Sequence, residues 1–287
     1  MSTAQDAPPE ASTAPAVVVD GVGKSFVVGA GRRRRTVEAV RSASFTIPRG
    51  TCLAVVGESG SGKTTLARML LGLEKADAGT MTVNGAAVGD RTGRRERRRR
   101  SRDIQMVFQD PQSALNRRLP VRVAVTEVLA AHTDLDARGR AERCAELFEA
   151  VGLAREHLDA LPHELSGGQR QRVCIARALA PAPAVVVLDE AVSALDVTVQ
   201  GQILALLERL RVENGLTYLF ITHDLAVARQ VADSIVVMRR GEIVEAGTAD
   251  DVLGAPQHPY TRDLLDSAPR PGWKPRRRPV DPEAVGA

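Results

Sequence analysis

The nine residues Gly57, Glu58, Ser59, Gly60, Ser61, Gly62, Lys63, Thr64 and Thr65 contain the pattern G-x-x-x-x-G-K-[ST]. Glycines let the backbone turn its N–H groups toward an anion. The lysine adds a point charge for the β- and γ-phosphates of a nucleoside triphosphate, and the Thr64 hydroxyl suits Mg2+. A second set of groups stands at the ends of apolar runs. Asp189 and Glu190 close "AVVVLDE"; one carboxylate can hold Mg2+ through water and the next can polarise an attacking water. Gln109 closes "MVFQ" and His223 closes "FITH". A glutamine there can orient water or Mg2+, and an imidazole can meet a γ-phosphate. Alone, each is more simply a surface or capping residue. A further stretch, "LSGGQRQRVCIARAL", sets Ser166, Gly167, Gly168 and Gln169 at the start of a helix. A helix N-terminus favours an anion, yet this one has no lysine of its own.

These groups need strands and helices to bring them together. "TCLAVVG", Thr51 to Gly57, reads as a strand buried on both faces, and a helix is expected from Lys63 to about Lys75. "DIQMVFQ", "AVVVLD", "TYLFIT" and "SIVVMR" read as further strands. Helices are expected at 167–179, at 197–213 with Ile203, Leu206, Leu207 and Leu210 on one stripe, and in "DLAVARQVA". Strand and helix alternate, which implies an α/β fold with a largely parallel sheet. "PAVVVDGV" and "SASFTIPRG" are strands of another kind, and "TMTVNGAAV" is a hairpin turning at Asn84-Gly85. Between Val121 and Glu164 the periodicity is helical, so residues 121–166 are expected to form an inserted helical subdomain. Residues 1–15 are expected to be a disordered leader, 16–265 the folded domain, and 266–287 a Pro/Arg-rich tail.

Aromatic residues are only 3% of the chain, so its core must be made of Val, Leu, Ile and Ala. No apolar run reaches 18 residues, which argues against a membrane span, and the N-terminus has no signal-peptide pattern. Cys52, Cys144 and Cys174 are too widely spaced for a disulfide framework or a zinc site and fit a reducing cytoplasm. The net charge of +4 hides two arginine blocks: Arg32 to Arg35 carry +4, and "RTGRRERRRRSR" at 91–102 carries +7, which leaves −7 elsewhere. The second block fits a nucleic-acid or anionic-lipid patch, or a solvated mobile loop. No aromatic residue is interleaved for base stacking, which favours the loop and argues against nucleic acid.

Taken in order, "GESGSGKTT", "MVFQDP", "LSGGQRQR", "VVVLDEAVSALD" and "ITHD" resemble the five motifs of the ATP-binding cassette ATPases. The resemblance spans roughly residues 16 to 265. It implies a P-loop NTPase with a RecA-like core, an antiparallel β subdomain and an inserted α-helical subdomain, and it implies ATP and Mg2+ as ligands. Phe26 would stack on adenine, and residues 57–65 would bind the phosphates. Thr64, Gln109 and Asp189 would surround Mg2+, Glu190 would be the catalytic base, and His223 would contact the γ-phosphate. Ser166 to Gln169 would close over ATP held by a second ATPase subunit, in a head-to-tail dimer. Finer similarity, in "PQHPYTRDLLDSAP" and "DEAVSALDVTVQGQIL", is to the ATP-binding subunits of oligopeptide, dipeptide and nickel importers. In that group two different ATPases sit at the cytoplasmic face of the membrane beneath two permeases, fed by an extracytoplasmic binding protein. Peptide is the implied cargo; nickel or a metal chelate is the alternative, and a non-transport cassette acting on nucleic acid is a further one. "ALNRR" at Ala114 to Arg118 departs from the group's "SLNPR", in the region that faces the permease. No cysteine follows Cys174, so no iron–sulfur cluster is expected.

Overall fold

A computed structural model describes residues 14–29, 34–89 and 93–267. Most of the expected leader, Arg32 and Arg33, Arg91, and the tail from residue 268 lie outside these. Ten strands and ten α-helices run along the described chain. One sheet has six strands in the order β10 (Glu242–Thr248), β9 (Ser234–Arg239), β3 (Cys52–Val56), β8 (Thr217–Thr222), β7 (Val185–Asp189), β6 (Ile104–Val107). All its pairings are parallel except β10 with β9. The other sheet is antiparallel, in the order β2 (Arg35–Ile47), β1 (Val17–Val28), β4 (Ala78–Val83), β5 (Ala86–Ala87). Asn84 (φ 50°) and Gly85 (φ 75°) make the two-residue turn between β4 and β5, as expected for a hairpin with both central residues left-handed.

The continuous apolar runs are explained by burial on two faces. Val185 and Val187 of β7, Leu219 and Ile221 of β8, and Leu53 and Val55 of β3 join a core with the antiparallel sheet and helix α1 (Lys63–Leu70). Val186, Leu188, Tyr218 and Phe220 point the other way. They meet α6 (Gly167–Leu179), α7 (Val197–Asn214) and the two helices of the 121–164 stretch, α4 (Val121–His132) and α5 (Ala137–Ala150). A third cluster packs α8 (Leu225–Val231), α9 (Ala249–Gly254) and α10 (Pro259–Ser267) against Ala54, Val56, Ile235 and Val237. The three cysteines are buried in this framework and free. Burial pushes the Cys52 thiol up to about 12 and those of Cys144 and Cys174 to about 11, so none supplies a thiolate.

Two expectations are corrected. The first helix stops at Leu70 rather than near Lys75, because Gly72 takes a left-handed φ of 68° and closes it. Gly72 N donates to Met69 O and Leu73 N to Arg68 O, the paired bonds of a glycine-terminated helix. The described part of the arginine block is not a loop: Arg94–Asp103 form helix α2, and a four-residue turn of helix, α3 (Pro111–Ala114), follows β6. Arginine is a good helix former, and docking holds the helix. Arg98 Nε donates to Ala131 O of α4 at 2.9 Å, and the Arg100 guanidinium lies against Gly72.

Candidate nucleotide site

A cavity of about 1100 Å³ opens at the C-terminal ends of β3, β6, β7 and β8, where parallel sheets bind ligands. Gly57, Glu58, Ser59, Gly60, Gly62, Lys63, Thr64 and Thr65 line it on one side, and Gln109, Glu190 and His223 on another. Ser61 is buried beneath the loop and Asp189 behind it. The loop's shape needs its glycines. Gly57 has φ 152° and Gly62 φ 107°, and a Cβ would stand 2.1 Å from Met238 O at the first and 2.2 Å from Ala39 O at the second. Any side chain there would push the loop off its neighbours. Gly62 also starts α1 with no side-chain cap, so the first N–H groups of that helix face the cavity free for an anion. Lys63 Nζ donates to Gly57 O at 2.7 Å and Glu58 O at 2.8 Å, within reach of the same space.

Glu190 is the first residue after β7 and takes φ 47°, a left-handed backbone that costs a non-glycine residue about 1–3 kcal/mol. The buried strand ahead of it and the bond from Glu190 N to Ile221 O at 2.9 Å hold that turn. Its carboxylate accepts from Gln109 Nε2 at 2.9 Å and lies 3.4 Å from His223 Nδ1. Three residues from three strand ends therefore converge. Gln109 sits two residues beyond β6, which is shorter than the expected strand. Thr64 Oγ1 and Asp189 Oδ1 approach to 3.4 Å. Burial, then the Glu190 charge, raises the Asp189 pKa above the usual carboxylate range, against the Thr64 bond and the Lys63 charge. Burial lowers the pKa of Lys63, against the pull of Glu190 and Asp189. A hydroxyl and a buried carboxylate with a second carboxylate behind them form an oxygen donor set that a small divalent cation would suit, and its charge would relieve the crowding of anions.

Ser166, Gly167, Gly168 and Gln169 do not line this cavity. They form a tight start to α6. Ser166 Oγ accepts from Gln169 N at 3.2 Å, and Gln169 Oε1 accepts from Ser166 N at 2.8 Å, a reciprocal cap. The Gln169 amide also lies 3.0 Å from His157 Nε2, so its side chain is committed to holding the turn. Gly168 packs on α7; a Cβ there would stand 2.6 Å from Val199 Cγ1. Phe26 does not line the cavity either. It pairs with Val37, which does, and its ring lies 5.2 Å below Lys24 Nζ.

Sequence reasoning missed Thr36, Val37 and Glu38 of β2, Arg240 and Leu264, all of which line the cavity. It also gave no role to Tyr260. That side chain is buried, and its hydroxyl accepts from Glu58 N of the phosphate loop at 3.1 Å. The Arg239 guanidinium lies 4.6 Å above its ring. Burial raises its pKa, so the hydroxyl stays protonated, and its oxygen accepts the loop N–H through a lone pair. His258 and Pro259 set this up: His258 Nδ1 accepts from Tyr260 N at 3.2 Å, and Pro259 opens α10. Tyr260→Phe keeps the ring and loses the acceptor. One hydrogen bond is worth about 1 kcal/mol, so ATP affinity should fall about fivefold in an equilibrium binding assay. Unchanged affinity would show that the contact does not shape the loop.

A phosphate loop at the mouth of a two-faced parallel sheet, with carboxylates at the neighbouring strand end, defines a P-loop nucleotide-binding protein. Within that class the chain belongs to the ABC transporter family, which its residues 40–193 match. Residues 244–285 match a second family, the C-terminal region of oligopeptide/dipeptide transporters. The chain is 43% identical to the oligopeptide transport ATP-binding protein OppF of Streptococcus pyogenes serotype M1, over 86% of this chain and 81% of that one. It is 45% identical to OppF of Bacillus subtilis, over 83% and 78%. Among solved structures it resembles the ATP-binding cassette MJ0796 in a dimeric post-hydrolysis state bound to ADP and Pi. The TM-score is 0.71 and the identity 28%, over 81% of this chain and 98% of that one.

Proposed function

We propose that this chain is the ATP-hydrolysing subunit of an oligopeptide importer, working at the cytoplasmic face of the membrane. The observation that carries the reading is the convergence of Gln109, Glu190 and His223 opposite the phosphate loop in one cavity. The OppF relatives and the match at residues 244–285 support the peptide cargo. The N–H groups at the start of α1 and the Lys63 ammonium hold the phosphates. Thr64 and Asp189 would hold Mg2+, directly or through water, and when bound it neutralises charge on the β- and γ-phosphates. Glu190 takes a proton from water as the water oxygen bonds to the γ-phosphorus. The bond to the β–γ bridging oxygen breaks, and ADP and phosphate leave. Gln109 and His223 hold the Glu190 carboxylate toward that water, and His223 is placed to meet the γ-phosphate.

The chain acts in a head-to-tail pair with a second ATPase subunit. Ser166 to Gly168 do not line the chain's own nucleotide cavity, and the dimeric cassette similar to this chain supports the pairing. No helix among the described residues is long and apolar enough to cross a membrane. The likeness to oligopeptide transport ATP-binding proteins supports partner permeases as the peptide path. Their docking place is a groove of about 540 Å³ between β6 and α4, rimmed by Leu73, Phe108 and Leu119, three large apolar side chains left exposed. It contains Ala114, Leu115 and Asn116, part of the segment that departs from the related group. Leu119→Glu puts a charge in the groove away from the nucleotide. It is expected to leave the ATPase rate of the purified chain within about twofold and to abolish rescue of labelled tripeptide uptake in cells lacking the chain. Full rescue by this variant would remove the groove as the docking place, and undiminished uptake in cells lacking the chain would overturn the cargo.

A further inference from the structure

The arginines of α2 are not spread evenly around the helix. Arg95, Arg98, Arg99 and Arg102 follow the i, i+3, i+4, i+7 spacing that places side chains on one stripe. All four line a cavity of about 430 Å³, completed by His132 and Asp134 at the C-terminal end of α4. Four guanidinium groups there face one carboxylate. Among the described residues neither Arg95 nor Arg102 is ion-paired, and Arg99 reaches Asp103 only at 3.9 Å. Like charges at these spacings oppose each other on a helix, so the stripe is held against its own repulsion. Arg98 is anchored by its bond to Ala131 O. His132 Nδ1 is shut off from solvent with no hydrogen-bond partner among the described residues. An anion seated here would relieve the repulsion and offer acceptors to the Arg95 and Arg102 guanidinium groups.

The geometry points to a binding site for a phosphate-bearing anion, formed by Arg95, Arg98, Arg99, Arg102 and His132. Guanidinium forks match phosphate oxygens two at a time, which suits this ligand better than a single carboxylate. No Phe, Tyr or Trp among the described residues lines the cavity, so its chemistry is that of guanidinium groups around a phosphate rather than of a base-stacking platform. The site adjoins the apolar groove, because Ser101 of α2 and Glu127 and Val128 of α4 line that groove. On the reading of the groove as the permease face, this places the arginines toward the membrane, where a phospholipid headgroup is one source of the phosphate. Free polyphosphate is the other. The site itself does not depend on that reading, since the isolated chain can be tested without permeases.

The test compares the full-length chain with the triple variant Arg95→Gln, Arg99→Gln, Arg102→Gln. A charge-matched control carries Arg97→Gln, Arg138→Gln and Arg143→Gln; all three of these are exposed and none lines the cavity. One arm measures sedimentation with vesicles of phosphatidylglycerol against vesicles of phosphatidylcholine. The other titrates inorganic pyrophosphate by calorimetry, with saturating ADP filling the phosphate loop. The triple variant is expected to lose about tenfold or more in affinity while the control keeps the wild-type value. Loss in the vesicle arm names the lipid headgroup as the source, and loss confined to pyrophosphate names the free anion. Equal loss in variant and control, or no binding by the wild type in either arm, overturns the site. Unchanged circular dichroism and ATPase rate in the triple variant exclude an unfolded helix as the cause.

Discussion

Glu190→Gln is expected to cut ATP turnover by about 10²–10⁴-fold, the contribution of a positioned general base, while nucleotide binding survives. The amide is nearly isosteric with the carboxylate. It can still turn an oxygen toward Gln109 Nε2, whose bond to Glu190 is 2.9 Å, so the geometry of the three strand ends should persist. What disappears is the basic carboxylate that, in the proposed mechanism, takes the proton from water. The electrostatics even favour the ground state. The Glu190 charge is one of the causes that raise the Asp189 pKa, and removing it makes the Asp189 carboxylate easier to ionise. Mg–ATP should therefore bind the variant at least as well as the wild type. Single-turnover hydrolysis and equilibrium nucleotide binding separate the two effects. Near wild-type turnover would dismiss Glu190 as the base, and loss of nucleotide binding would assign it to holding the ligand instead.

The strand-end parts of this site that were legible in the sequence share one cause. A strand buried on both faces is an unbroken apolar run, so the polar residue that ends it stands out. Asp189 and Glu190 after Val185–Leu188, and His223 after Thr217–Thr222, could be placed at the mouth of the sheet for that reason. The phosphate loop was legible because Gly57 and Gly62 are demanded by backbone neighbours that leave no room for a Cβ. Residues reached only through topology were not legible. Arg240 follows β9, and β9 lies beside β3, so Arg240 meets the loop across more than 170 residues of chain. Tyr260 arrives by the same route, through a short helix whose apolar face is too small to reveal its partner. Helix α2 was hidden for the opposite reason: ten residues with no apolar stripe have no period to read, although arginine favours a helix. Phe26, assigned through the resemblance alone, lies on β1 beyond the expected strand, one strand away from the β2 side chains that line the cavity.

Ser166→Arg is expected to lower turnover by about 10²–10³-fold, the loss typical of removing donors aimed at a developing anion, without weakening ATP binding at the chain's own phosphate loop. The reasoning is spatial. Gln169 N and Ser166 N are already satisfied by the reciprocal cap, so the donors left at this helix start are those of Gly167 and Gly168. Neither glycine lines the chain's own cavity, so on the proposed head-to-tail pairing the phosphate they meet is one held by the second subunit. An arginine at 166 would fill the space over those N–H groups before the partner's nucleotide could close on it. The substitution also removes an N-cap, which costs about 0.5–2 kcal/mol. Helix α6 can bear that loss, since Val173, Cys174, Ile175, Ala176 and Ala178 are buried among the core helices. Ser166→Ala separates the two effects, because it removes the cap and leaves the approach open. If the alanine variant loses as much turnover as the arginine variant, the cap alone explains the result. If the arginine variant stops binding ATP, the signature acts on its own chain's nucleotide and the head-to-tail pairing falls. Retained binding with lost turnover, in the arginine variant only, requires a second subunit to complete the site.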